Sequence, residues 1–179
     1  MSLYQDLLGP KYRLLPPLVQ QMHDVNGEVH AAGMGSVDRG SNPLSRLIAA
    51  LLGMPKPGTW IPVHITFRRE GEGEWLIRDY AGTRLVTHQD RGAGTDTGHL
   101  LEGFGPVKLA IALDVEDDAL VFKLVSVRAL GLPLPRALWP TLKACEAEVD
   151  GWYVSYVDIG LPLIGRLIRY CCRIRPEAA

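Results

Sequence analysis

The sequence predicts a mainly β protein: a curved antiparallel sheet or barrel of about nine or ten strands, with two or three short helices near the N-terminus. Three observations carry that expectation. From Trp60 onward the apolar period becomes two, with Ile61, Val63, Ile65 and Phe67 alternating with Pro62, His64, Thr66 and Arg68 as in a half-buried strand. Strand-like runs then follow near 74–81, 83–91, 99–104, 107–115, 119–129, 141–149, 152–159 and 166–175, mostly joined by links too short for parallel crossovers. So many consecutive antiparallel strands must curl or close, because an open edge recruits other chains.

The chain reads as one domain over 1–179, with helical segments and one strand in 1–58 and an antiparallel β meander in 59–176. Ser2 and Gln5 have capping-box spacing, and Leu3, Leu7 and Leu8 form one apolar stripe, so the first residues begin a helix. Gly9-Pro10 and Pro16-Pro17 cut it into pieces ending in 17-PLVQQMHD-24. A strand over 28–39 follows, softened by Gly33 and Gly35. Asn42 as N-cap, Pro43 in the first turn and Gly53-Pro55 at the end frame a helix whose body, 44-LSRLIAALLG-53, is apolar nearly all round. That helix is expected to cover other structure, inside the sheet or outside it against strand 119–129, which is apolar on both faces.

In a meander, alternate connections fall at opposite ends. One end collects 70-EGEGE-74, 91-RGAGTDTG-98, 116-EDD-118 and 150-DG-151, ordinary polar turns. The other collects 81-AGT-83, 105-GP-106, 130-LGLPLPRALWP-140 and 160-GLPLIG-165. Three readings of that apolar end stay open. Its leucines fold inward as a stopper, line the mouth of a cavity for a hydrophobic ligand, or dock onto a protein partner or a membrane surface. For ligand binding the residues concerned are Leu132, Leu134, Leu138, Trp139, Leu161, Leu163 and Ile164, with Arg136 and Arg166 beside them.

Composition narrows the function classes. The chain is 47% hydrophobic and 22% charged with a net charge of −1, and its scattered Lys and Arg argue against nucleic acid as a partner. The start MSLYQDLL lacks a basic segment before an apolar core, and the apolar run 47–54 is far short of a membrane span, so a cytoplasmic location is expected. Cys145, Cys171 and Cys172 lack disulfide or metal spacing and read as reduced, small apolar fillers. The glycine runs 33-GMGSVD-38 and 92-GAGTDTG-98 do not open helices, so no dinucleotide cofactor is expected and both read as turn or bulge glycines. His23, His30, His64, His88 and His99 have no ligand spacing, and no metal or catalytic residue is assigned. Were the chain an enzyme, Arg128, Asp79 and Asp158, each sharing a strand face with apolar residues, are where chemistry is expected.

Taken together, 3-LYQDLLG-9, 35-GSVDRG-40, 103-GFGP-106, 130-LGLPLP-135 and 161-LPLIGRLIRY-170 resemble the bacterial family known as domain of unknown function 4166. The resemblance runs over essentially the whole chain. It implies a domain that stands alone or follows a Rossmann-type dehydrogenase or epimerase-like domain, with no activity or site residue attached. The leading expectation is a non-catalytic binding domain for a hydrophobic or amphipathic small molecule, lipid included, admitted from the GLPLP/LPLIG end. The alternative is an accessory module docking through that end onto an oxidoreductase or onto a second copy. The third is an enzyme of unrecognised type.

Overall fold

The computed structural model describes residues 1–177. Ten long strands form an antiparallel barrel: β1 (Glu28–Arg39), β2 (Gly58–Glu70), β3 (Gly73–Tyr80), β4 (Thr83–Arg91), β5 (Leu100–Phe104), β6 (Val107–Glu116), β7 (Ala119–Ala129), β9 (Thr141–Val149), β10 (Trp152–Leu161) and β11 (Gly165–Pro176). A two-residue strand, β8 (Leu132–Pro133), hangs on the end of β7. Each long strand pairs with the next in sequence, and β1 with β11 closes the ring from Ala31–Pro176 to Arg39–Ile168. Closure of this meander removes the sheet edges that an open sheet would expose.

The chain uses its special backbone positions to make this geometry. Ala81-Gly82, Asp117-Asp118, Leu130-Gly131 and Asp150-Gly151 each place two successive residues at positive φ, the two-residue hairpin turn whose twist matches the strands it joins. At Gly33 a side chain would collide with the Arg173 carbonyl, so β1 and β11 approach there only because the residue is glycine. The register of β1 on β2 shifts between Gly35 and Val37, the bulge expected of that glycine pair.

Helices α1 (Leu3–Leu8) and α2 (Pro17–His23), joined by a 3-10 turn over Gly9–Leu14, lie across the end that carries the polar turns. The expected capping box forms: Gln5 N donates to Ser2 Oγ at 3.4 Å and Ser2 N to Gln5 Oε1 at 3.0 Å. Arg91 ties to Asp6, Lys11 Nζ to Asp114 at 2.7 Å, and Leu18 N donates to Glu148 at 3.0 Å, so the segment is pinned from β4 across to β9. Tyr4, Val19, Met22 and His23 drop from it into the barrel and are fully buried.

Helix α3 (Pro43–Leu51), in the β1–β2 connection, sits at the opposite end against β11 and β1. Asn42 caps it, accepting from Leu44 N at 2.9 Å, and Ser45 Oγ donates to the Arg166 carbonyl at 2.6 Å. It therefore does not cover β7, as its composition suggested. The outer face of β7 is covered near Ser126 by the 92–98 loop, whose Asp96 accepts from Ser126 Oγ at 2.9 Å.

Candidate functional site

Strand alternation decides what the barrel encloses. On β3 the inward residues are Glu74, Leu76, Arg78 and Tyr80, all buried, and on β4 they are Leu85, Thr87 and Gln89. Glu102 on β5, Tyr153 and Ser155 on β10, and Tyr170 and Cys172 on β11 join them. A sheet interior with this many polar groups is unusual, and each must find a partner or be left costly.

Arg78 organises the half nearer the apolar end. Its Nη2 donates to Glu102 Oε1 at 2.9 Å and to Thr87 Oγ1 at 2.6 Å, its Nη1 donates to Tyr170 Oη at 3.2 Å, and Thr87 Oγ1 donates to Glu102 at 2.7 Å. Burial works against the guanidinium charge, but Tyr170 and Glu102 outweigh it and raise its pKa. In this cluster Arg78 Nε and Tyr80 Oη are buried with no hydrogen-bond partner among the described residues. The Tyr80 hydroxyl is held neutral, its pKa pushed well up by burial and then by Tyr170.

The other half lies against the N-terminal plug. His23 Nε2 meets Glu146 Oε2 at 2.6 Å, the His23 ring stacks on Tyr4 at 3.8 Å, and Tyr4 Oη donates to Gln89 Oε1 at 3.1 Å. Glu74 is buried with Oε1 unpartnered, and burial pushes its carboxyl up to about 7.

Between the two halves lies a cavity of about 60 Å³. Its walls are apolar, with Phe67, Leu109, Phe122 and Ile159 among them, and Arg78, Tyr80, Glu102 and Tyr170 face it. An apolar cavity with a few convergent polar groups is the usual form of a small-molecule site.

The barrel wall beside the cavity has a seam. β7 and β9 pair through only three rungs, Leu120–Glu146, Val121–Cys145 and Phe122–Ala144. Beyond them β7 continues to Ala129 on β6, and β9 begins at Thr141 on β10, so among the described residues 123–126 and 141–143 share no ladder. The Leu-Pro-Trp connection roofs this splay. Leu134 N donates to the Val127 carbonyl at 2.8 Å and Trp139 Nε1 to the Leu134 carbonyl at 2.7 Å.

The nine residues expected to bind ligand gather at the apolar mouth, outside the cavity lining. Leu134, Trp139 and Leu161 pack partly buried on the core, and Ile164 is half-buried. Leu132, Leu138 and Leu163 are exposed, so these three leucines do not stopper the mouth; the opposite end is closed by the N-terminal segment. Arg136 stacks over Trp139 with its guanidinium 5.5 Å from the ring, and Arg166 bonds Asp38 and Asp158.

The three charged residues expected of an enzyme do not converge. Asp79 faces outward beside Arg84, and Asp158 faces outward between Arg166 and Arg169. A register shift opposite Ala110 and Ile111 turns Arg128 to the outer face, where its Nε lies 3.5 Å from Asp96.

A closed antiparallel barrel with an internal polar cluster beneath a roofed seam defines the class of this molecule. Its sequence matches the family described as "Domain of unknown function (DUF4166)" over residues 15–173, and the chain belongs to that family. No curated protein and no solved structure matches it.

Proposed function

We propose that the protein is a binding domain for an amphipathic small molecule whose polar group is a neutral hydrogen-bond acceptor, such as a ketone, ester or amide carbonyl. The observation that carries this reading is the pair of unpartnered groups, Arg78 Nε and Tyr80 Oη, on two residues that line the cavity. Both can donate, so they call for one acceptor oxygen between them. Charge then selects the ligand. Glu102 already neutralises Arg78, and Glu146 lies on the same cavity, so a carboxylate or phosphate would enter with no counter-ion left for it.

Size sets the route. Benzene occupies an engineered cavity of roughly 150 Å³; about 60 Å³ accommodates a head group while the seam is closed. The apolar body therefore lies in the seam beneath residues 130–140, and admission means lifting that roof from the GLPLP/LPLIG side. Leu134 and Trp139 are the residues the ligand body would displace.

Native mass spectrometry of gently purified protein, followed by organic extraction, tests the reading. A stoichiometric neutral adduct is expected, and Tyr80→Phe, which removes only an unpartnered hydroxyl, should weaken it about tenfold without unfolding the chain. An anionic adduct that Tyr80→Phe removes, or a Tyr80→Phe protein that binds as well as the parent, would overturn it.

A further inference from the structure

We propose that the apolar mouth of the barrel docks onto the surface of an anionic lipid bilayer. Helix α3 supplies the first observation. Ser45 and Ala49 face the barrel and are fully buried, while Leu44, Leu47 and Leu51, at helical spacing, form a stripe open to solvent. The helix is thus apolar on both sides, and only one side is covered.

The strand ends and loops at the same end continue that surface. Trp60, Leu130, Leu132, Leu138 and Leu163 are all exposed, Leu163 completely. Three of them also hold left-handed backbone: Trp60 at φ 54°, Leu130 at 52° and Leu163 at 62°. Glycine or asparagine would occupy such positions with less strain, and bulky side chains there gain nothing from burial within this chain. Strained, exposed and apolar side chains at projecting positions are what contact with an external apolar phase explains.

Charge selects the phase. The carboxylates near this end are already paired: Asp38 with Arg166, Asp79 with Arg84, Asp96 with Arg128, and Asp158 with Arg166 and Arg169. Arg46, Lys56, Lys108, Arg136 and Lys143 are exposed around the same mouth with no carboxylate partner among the described residues. The chain as a whole has a net charge of −1, so this excess is local. A second copy docking face to face would bring like charges together, since a two-fold interface presents the same patch to itself. An anionic bilayer takes leucine and tryptophan side chains below its head groups and cations at their level. The opposite end, with Asp117, Asp118, Glu148 and Asp150, would face away.

Co-sedimentation of the full chain with vesicles of phosphatidylcholine and phosphatidylglycerol at 7:3, against phosphatidylcholine alone, tests this. Binding to the mixed vesicles is expected, much weaker binding to the neutral ones, and a fall as salt rises from 0.05 to 0.5 M. Leu130→Asn and Leu163→Asn suit the left-handed backbone and add no charge; each should lower partitioning roughly tenfold. Lys56→Gln and Lys108→Gln should each lower it about fivefold. Val86→Asn removes an exposed apolar side chain from the barrel wall and should leave binding unchanged, with melting temperatures checking that every variant folds. Equal binding to both vesicles, no binding to either, or a soluble dimer that Leu163→Asn dissociates would overturn the proposal, the last in favour of a self-interface. These outcomes are independent of whether the cavity holds a ligand.

Discussion

The two ends of the barrel are finished by different means. At one, the first 23 residues fold across the opening, send Tyr4, Met22 and His23 inside, and fasten themselves with ion pairs to Asp114 and Arg91. At the other, α3 covers the β1–β11 side, and Leu130, Leu132, Leu138, Leu163 and Trp60 around the rim stand in solvent. Burial and hydrogen bonding at the first end contribute stability; strained, exposed apolar residues at the second contribute none. The difference separates an end fastened by buried contacts from one that leaves apolar side chains in solvent. On the function proposed above the second is the end that works, since stability is given up where function needs exposure or motion.

Substitutions sharpen that contrast, beginning with the largest expected effect. Tyr4→Ala removes a buried ring, its stacking on His23 and the donor to Gln89, and should lower unfolding free energy by about 3–5 kcal/mol in urea titrations. The second test is pH dependence at Glu74. Its folded-state carboxyl is pushed up to about 7, chiefly by burial, from an ordinary 4.5. Between those values the folded chain keeps a proton that the unfolded chain has released. The contribution is therefore fully present below about pH 4.5 and lost as pH rises through about 7, roughly 3 kcal/mol in all. Glu74→Gln should remove that fall, leaving the variant more stable than the parent at pH 8 and similar to it at pH 4. At the apolar end the sign reverses: Leu163→Gly should raise stability by up to about 1 kcal/mol by relieving left-handed strain. Least of all, Tyr80→Phe should change the stability of the empty protein by less than about 0.5 kcal/mol, because its hydroxyl has no partner to lose. A large loss from Leu163→Gly would erase the distinction between the ends.

Much of the scaffold was legible in the residues. The period-two alternation from Trp60 located the strands, the Ser2–Gln5 and Asn42-Pro43 signals located two helices, and the turn chemistry sorted the two ends. The internal site was not legible. Reading the apolar face of each strand as the inner one picks Trp75, Ile77 and Asp79 on β3, yet the inward set is Glu74, Leu76, Arg78 and Tyr80. Trp75 is half-buried on the outside because it packs on His88 at 4.8 Å and donates to Glu70. Binary patterning fails at this site because the barrel encloses charge there. Arg128 was misplaced for another reason: one extra residue in β7 flips the alternation, and nothing in 119–129 announces a bulge. His23 and Glu146 carry no local spacing because the plug brings them together from opposite ends of the chain.

The closure of β1 on β11 also has a consequence for how the molecule is made. On the edge away from β2, residues 31–39 find their partners only in residues 168–176, so the ring cannot shut until β11 has been made. Until then the first strand waits with one row of amides and carbonyls unpaired, and pairings so distant in sequence form slowly, in milliseconds to seconds for all-β chains. A chain interrupted before residue 165 would therefore present a sheet with the β1 and β10 edges open, ready to add strands from its neighbours.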